Sequence, residues 1–376
     1  MPIFLNFIEI TEKNVIIAEF LILKFERSEF ILLLTLAAVI FVFGLLVLVH
    51  EWGHFITAKL TGMRVDEFAI GFGPQIFKTR RGETVYSLRA IPLGGFNDIA
   101  GMDPADNPAG DRGFCEKPVF SRMIVILAGS TMNFIMPIVI FFGIYATMGI
   151  AKPATEPIIG AIIEGKAAEK AGLLDGDKIL SIDGEKVATW QELTEKIKSS
   201  EPEKSLAIEY ERNSEVGKVS LTPEFDSTTQ RYLIGVQSAV TYEETSLAGA
   251  FLVSLNHTAD ILKMMIDSLI ALVQSPSQAD VAGPIGITKM AGQVAERGFI
   301  PLLNFAALLS LNLGIINLLP IPALDGGHFV SLAIEAVRGK PLSPKALMYT
   351  QRVGVALLLL LTVVVTTSDV LKIFFK

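Results

Sequence analysis

The chain has a single cysteine, Cys115, among its 376 residues. One thiol makes no internal disulfide and no cysteine-built zinc site. Any bound metal must therefore rest on histidine and carboxylate, and histidine is scarce as well: His50, His54, His257 and His328 are the full set. Charge is thin, at 19% of residues against about 25% in soluble domains. A basic excess is missing too. The formal net charge of −7 provides no field for a nucleic-acid backbone, which argues against DNA or RNA as a partner. The start of the chain lacks a basic segment leading into a short apolar core and a small-residue cleavage site, so it does not read as a signal peptide. What is abundant is apolar surface, 51% of residues. It is unevenly spread, with nearly uncharged stretches alternating with charged ones, as in a multispanning membrane protein.

The first uncharged stretch, Ile31 to Leu60, ends in His50-Glu51-Trp52-Gly53-His54. On a helix of 3.6 residues per turn, His50 and His54 lie one turn apart on one face with Glu51 beside them. That spacing lets two imidazoles hold a zinc ion while a carboxylate works on its bound water. The segment is also long enough to cross a bilayer, where an ionisable side chain is costly and points to function.

Along the chain, residues 1–29 read as an interfacial or loosely packed leader, with Glu9, Glu12, Glu19, Glu26 and Glu29 breaking its apolar runs. Residues 30–150 form a first membrane core. It holds the motif helix, a polar loop with short strands at Gln75–Thr79 and Thr84–Arg89 around the turn Arg80 to Glu83, and a second span from Arg122 to Met148. Gly71–Pro74 and Ile91–Phe96 are expected to be turn-rich bracing around that hairpin. Residues 151–235 have the size and mixed pattern of a small water-soluble α+β domain. Strands are expected at 158–163, 178–182, 205–210 and 218–222, with helices near 165–173 and 192–199. Residues 236–300 form an amphipathic, membrane-associated helix and a linker, since His257, Asp260, Lys263 and Asp267 interrupt the apolar run. Residues 301–376 form a second membrane core with two spans. The first of these breaks at Asn317-Leu318-Leu319-Pro320-Ile321-Pro322-Ala323-Leu324-Asp325-Gly326-Gly327-His328. The fold class is therefore a polytopic α-helical membrane protein with about four spans, a membrane-associated β-hairpin and one α+β domain on the surface.

Lysine and arginine crowd the loop after the first span (Lys59 through Lys117) and the link before the last (Arg338, Lys340, Lys345), which assigns both to the cytoplasmic side. Four spans then put the 151–235 domain and both termini outside the cytoplasm. His50–His54 and Asp325 fall at similar depth, toward the cytoplasmic face.

A catalytic zinc takes three protein ligands and leaves room for water. His50 and His54 supply two. For the third, Asp325 qualifies best, in the break of an apolar helix where burial is expensive without a partner, and His328 next. His257 has no paired ligand one turn away and reads as structural or solvent-facing. Glu51 would take a proton from water attacking a peptide carbonyl and pass it to the leaving amine. A helical substrate must first unwind, because its carbonyls are engaged and covered. Asn317 and Asn133 either hydrogen-bond the extended strand or tie spans together. The strand Thr84–Arg89 is placed to add to that substrate strand, and the interruptions at Gly94-Gly95 and Pro320–Gly327 offer water an inlet.

These segments together resemble the site-2 protease family of intramembrane zinc metalloproteases, in its bacterial branch of regulator of sigma-E (RseP-type) proteases. The likeness rests on His50–His54, Gly71–Pro74, Tyr86–Phe96, Asn133-Phe134, Gly283-Pro284-Ile285-Gly286-Ile287 and Asn317–Gly327. It covers nearly everything after residue 40. It implies Zn2+ on His50, His54 and Asp325, Glu51 as base, and Asn317 holding substrate. The Tyr86–Phe96 loop, with Gly94 and Gly95, would reach the active region. It further implies a bacterial inner-membrane protein whose 151–235 domain is extracytoplasmic and PDZ-like, acting as size filter or dock. Its substrates would be single-span membrane proteins, often pre-cut by another protease, such as anti-sigma factors or signal-peptide remnants. The chain departs from the enterobacterial form in having one such domain rather than two, Ala167 where proline is common, and a long leader. Two rival readings are a metal-ion transporter, which calls for repeated polar positions in paired halves, and a membrane-anchored PDZ-like scaffold without catalysis, which leaves Glu51 and Asp325 buried to no purpose.

Overall fold

The structure, a computed structural model, describes residues 2–102, 109–200, 204–226, 231–274 and 282–374, with side-chain environments in the first helix described from Ser28 onward. Contacts divide the chain into two compact units, 1–144 with 251–376, and 145–250.

Helix α1 runs from Pro2 to Leu60 without a break. The expected leader is thus helical and continuous with the first span, and the surroundings of its side chains before Ser28 lie outside the described residues. After Leu60 the chain turns at Gly62 into strands β1 (Val65–Arg81) and β2 (Thr84–Ile99). These are far longer than the short strands expected, and Gly71–Pro74 and Ile91–Phe96 lie inside them rather than forming turns beside them. The physical reason is bulging. Gly71 and Gly73 take φ of +87° and +84°, which lets β1 change direction while keeping its ladder. Glu67–Ile70 consequently has partners on both flanks, Asp98–Gly95 on one and Val85–Leu88 on the other, while Gln75–Arg81 pairs with Arg89–Thr84. Across the folded ribbon the order is 95–99, 65–70, 84–89, 75–81. The stretch Thr84–Arg89 is therefore interior, paired on both sides, and has no edge to offer a substrate strand. Residues 95–99 form an outer strand instead.

Two short 3-10 turns (Gly110–Arg112 and Phe114–Glu116) lead into α2 (Val119–Met148), which carries Pro137 inside it. Strands β3 (Ile150–Pro153), β4 (Ile159–Ile162), β5 (Lys178–Ile182), β6 (Glu185–Lys186), β7 (Leu206–Arg212) and β8 (Glu215–Leu221) belong to the second unit, as do β9 (Glu224–Asp226), β10 (Arg231–Leu233), β11 (Val236–Ser238) and β12 (Val240–Glu243). Its helices are α3 (Ala167–Lys170) and α4 (Trp190–Lys198), the latter capped by Thr189, whose hydroxyl accepts from the Glu192 N–H. An antiparallel sheet in the order β6-β5-β7-β8 packs Ile179, Ile182, Leu206, Ile208 and Leu221 against Leu193 and Ile197 of α4 and Ala168 and Leu173. The unit is longer than 151–235 because β12 pairs with β3 and closes it well past residue 235.

The chain then forms α5 (Leu247–Gln274), α6 (Pro284–Glu296), α7 (Phe299–Leu318), α8 (Asp325–Arg338) and α9 (Pro344–Phe374). Among the described residues, four helical segments are long and apolar enough to cross a membrane: 28–60, 119–148, 299–318 and 344–372. Leu32, Leu33 and Leu36 on α1 and Leu359, Leu360 and Val363 on α9 are exposed apolar side chains of the kind that face lipid. The polytopic membrane fold is thus as expected, and α5, with its charged interruptions, is not among the four.

In the first unit two apolar clusters bracket the motif along α1. One joins Ala38, Val42 and Leu46 to Met136, Ala291, Leu302, Phe305 and Ala306. The other joins Phe55 and Ala58 to Met63, Phe68, Ile99, Val125, Ile126 and Leu332. His50 and His54 sit between them.

Candidate metal centre

Two helices deliver the three ligand atoms. His50 and His54 lie one turn apart on α1, their Nε2 atoms 3.2 Å from each other. The Oδ2 of Asp325 stands 3.5 Å from His50 Nε2 and 3.6 Å from His54 Nε2. All three donors fall within 4.8 Å of one another and are partly buried, a set able to hold a metal ion. His328, the alternative third ligand, is not in the cluster, and His257 packs edge-on against Phe141, 4.6 Å between ring centres.

Asp325 reaches this point because the helix break is folded tightly. Proline at 320 and 322 ends α7, Ala323 takes a left-handed φ of 77°, and Asp325 becomes the first residue of α8. A Cβ on Gly326 would lie 2.2 Å from the Leu319 carbonyl oxygen, so only glycine lets α8 start against the end of α7. Ser130 of α2 donates to Asp325 Oδ2 over 3.1 Å.

The imidazoles are oriented from behind. His54 Nδ1 lies 2.7 Å from the Val125 carbonyl oxygen, which accepts only from N–H, so the lone pair is left on Nε2, toward Asp325. His50 Nδ1 lies 3.2 Å from the Asn133 carboxamide, whose oxygen is buried without a partner among the described residues. Turning that oxygen to the ring satisfies both groups and again leaves Nε2 its lone pair. Both histidines are thus poised as Nε2 ligands, and two imidazoles with one carboxylate are a donor set that suits zinc. A Cβ on Gly129 would lie 2.3 Å from His54 Nε2 and 2.7 Å from His50 Cε1, so α2 can approach the pair only through a glycine.

Glu51 projects beside the pair. Asn97 of β2 donates to its carboxylate at 2.7 Å and to its backbone carbonyl at 2.8 Å. A Cβ on Gly95 would lie 3.0 Å from Glu51 Cγ, so the outer strand of the ribbon lies directly on the motif helix. Of the other residues singled out, Gly94 takes a φ of +99° under the Phe72 ring, and Asn317 is half-buried at the end of α7, outside the ligand cluster. Asn133 is fully buried and turned to His50, with the Ser310 hydroxyl on its backbone carbonyl. Gly129 and Ser130 read from the sequence as small residues that allow close helix approach, which Gly129 does at the histidines; sequence reasoning passed over Asn97. For Asn97 a signal existed: a residue of low strand propensity inside a strand.

Residues 38–361 match Peptidase family M50. The regulator of sigma-W protease RasP of Bacillus subtilis is 33% identical over 420 residues, spanning 90% of this chain and 99% of that protein. The zinc metalloprotease RasP of Geobacillus kaustophilus is 34% identical over 413 residues, spanning 89% and 97%. Among solved structures, the PDZ domain of the SdrC-like protein of Listeria monocytogenes aligns with 23% of this chain and 92% of its own, at 19% identity and a TM-score of 0.21. With about nine-tenths of its length aligned to such zinc metalloproteases, the chain belongs to peptidase family M50, the site-2 protease family of intramembrane zinc metalloproteases.

Proposed function

We propose that the protein cuts single-span membrane proteins within their transmembrane segments, with zinc held by His50 Nε2, His54 Nε2 and a carboxylate oxygen of Asp325, and with Glu51 as general base. The observation that carries this reading is the convergence of Asp325 on the two imidazoles, 3.5 and 3.6 Å away although far apart in sequence, beside the Glu51 carboxylate, which is not part of the cluster. When bound, the ion would supply Lewis-acid polarisation of the peptide carbonyl and would lower the pKa of the attacking water. Glu51 takes a proton from the attacking water and delivers it to the leaving amine nitrogen. Ser130 holds Asp325 in place, and Val125 and Asn133 fix the imidazole tautomers. The substrate, locally unwound, lies as a strand near Gly94-Gly95, on the outer side of residues 95–99, with Asn317 as a further hydrogen-bonding group.

Substrates of this kind include anti-sigma factors, in keeping with a relative that is a regulator of sigma-W protease, and signal-peptide remnants. In the bacterial cytoplasmic membrane, the lysine and arginine between residues 59 and 117 put the metal centre toward the cytoplasm and the PDZ-like unit outside. There that unit restricts access to substrates already shortened by another protease.

The test is cleavage of a helix-spanning reporter by the wild type and by Glu51→Gln, with zinc content measured in both. The variant is expected to keep its zinc and lose cleavage. Continued cutting by Glu51→Gln would remove Glu51 from the mechanism, and full activity of an Asp325→Ala protein that has lost its zinc would remove the metal.

A further inference from the structure

The face of β2 that meets the motif helix consists of alternate residues Gly95, Asn97 and Ile99. Gly95 lies against Val47 and Glu51, and Ile99 joins the apolar cluster of Phe55 and Ala58. Asn97, between them, is the one polar side chain on this face. It spends its carboxamide nitrogen on a single residue, donating to both Glu51 Oε2 and the Glu51 carbonyl oxygen. Its own oxygen is buried and, among the described residues, accepts nothing.

A buried acceptor without a donor is destabilising. An apolar residue of similar size would avoid that cost and extend the packing that Ile99 begins, but it would leave Glu51 without this donor. The carboxamide thus carries an unmet acceptor while it holds Glu51, and departures of this kind concentrate at functional positions.

We infer that Asn97 is a positioning residue for Glu51. It clamps the carboxylate and main chain of the general base from the hairpin, so the base adopts its working rotamer only when the outer strand 95–99 is seated on α1. The inference rests on Glu51 being the base. A nucleophile-activating group oriented by a third residue is a general arrangement in hydrolases. Here the third residue comes from the strand that lies nearest the path proposed for the substrate, so seating of that strand and readiness of the base are one event. Neither the zinc ligands nor their supports include Asn97, which separates its role from metal binding.

The experiment compares full-length wild type, Asn97→Leu, Asn97→Asp and Glu51→Gln in proteoliposomes, reading kcat, KM, zinc content and thermal unfolding. Asn97→Leu removes the donor and the orphan acceptor together. It is expected to unfold near the wild-type temperature, since relief of the orphan acceptor offsets loss of the donor to Glu51, to keep its zinc and its KM, and to lose kcat by about 10- to 100-fold, the range for loss of an orienting partner. Asn97→Asp is isosteric but sets one carboxylate against another, and is expected to lose at least as much kcat. A purely structural role predicts the reverse for leucine, a lower unfolding temperature with kcat preserved in the folded fraction, and that result overturns the proposal. Wild-type kcat in Asn97→Asp, with Glu51→Gln inactive, overturns it as well. Cutting by Glu51→Gln would instead strike at the assignment of the base itself.

Discussion

Arg122 of α2 and Glu335 of α8 form a buried ion pair with two hydrogen bonds, Nη1 to Oε2 at 3.1 Å and Nη2 to Oε1 at 2.5 Å, with side chains 8% and 12% exposed. Arg122 also donates through Nε to the Lys117 carbonyl. The pair fixes the helix that begins with Asp325 to the helix whose Gly129, Ser130 and Asn133 meet the histidines and the carboxylate, so it helps to hold the two together. Removing one partner leaves the other buried and uncompensated, at a cost of about 3–5 kcal/mol. Glu335→Leu is expected to lower the thermal unfolding temperature in detergent and to reduce zinc content. The double variant with Arg122→Leu should recover most of the stability, which a double-mutant cycle will read as strong coupling.

Gly129→Ala should strip the site without unfolding the protein. The added methyl carbon would meet His54 Nε2 at 2.3 Å and must push the imidazoles apart. Gly143→Ala, on the same helix with open space around it, is the control. Zinc per protein, measured by elemental analysis after gel filtration, should fall several-fold in the first and stay at the wild-type value in the second.

Asp369 near the end of α9 accepts from the backbone N–H groups of Gly283 and Gly286 at 2.9 and 2.8 Å, capping the start of α6. A capping carboxylate is worth about 0.5–2 kcal/mol. Asp369→Ala should cost at least that much, since both N–H groups lose their partner, while Asp369→Asn keeps one acceptor oxygen and should cost less. Thermal unfolding in detergent gives the comparison.

In the second unit, Asp177 is fully buried, where its carboxylate accepts from Arg212 Nε at 2.7 Å and Nη2 at 2.8 Å and from the Leu174 N–H at 2.8 Å. Burial alone would raise its pKa, but Arg212 and the Leu174 N–H outweigh burial and hold it below the ordinary 3.8. A depressed folded pKa gives stability that is complete above the unfolded value of 3.8 and is lost as pH falls through the lower folded value. Acid should therefore destabilise this unit progressively as pH falls below about 4. Asp177→Asn should weaken it at neutral pH by about 3 kcal/mol and flatten its acid dependence. Trp190 packs on this unit's core, so its fluorescence in a Trp52→Phe background reports the transition.

Periodicity and composition carried the spans, because a bilayer tolerates few charges and the uncharged runs are long enough to show it. The one-turn spacing of His50 and His54 was legible for the same local reason: a helix fixes which side chains share a face. The folded ribbon was not legible. Gly71 and Gly73 read equally well as turn residues or as bulges, and the difference depends on whether Glu67–Ile70 finds partners on both flanks.

The sequence by itself determined a membrane-embedded histidine pair with a carboxylate beside it, and a broken helix carrying the one aspartate suited to join them. Only the tertiary structure decided how the parts meet. Gly129 lets α2 touch the imidazoles, Arg122 and Glu335 bring α8 to α2, and Asn97 takes hold of Glu51 from a strand 46 residues away. Each of these depends on close approach between elements distant in the chain. Local propensity has no term for such contacts, and packing does.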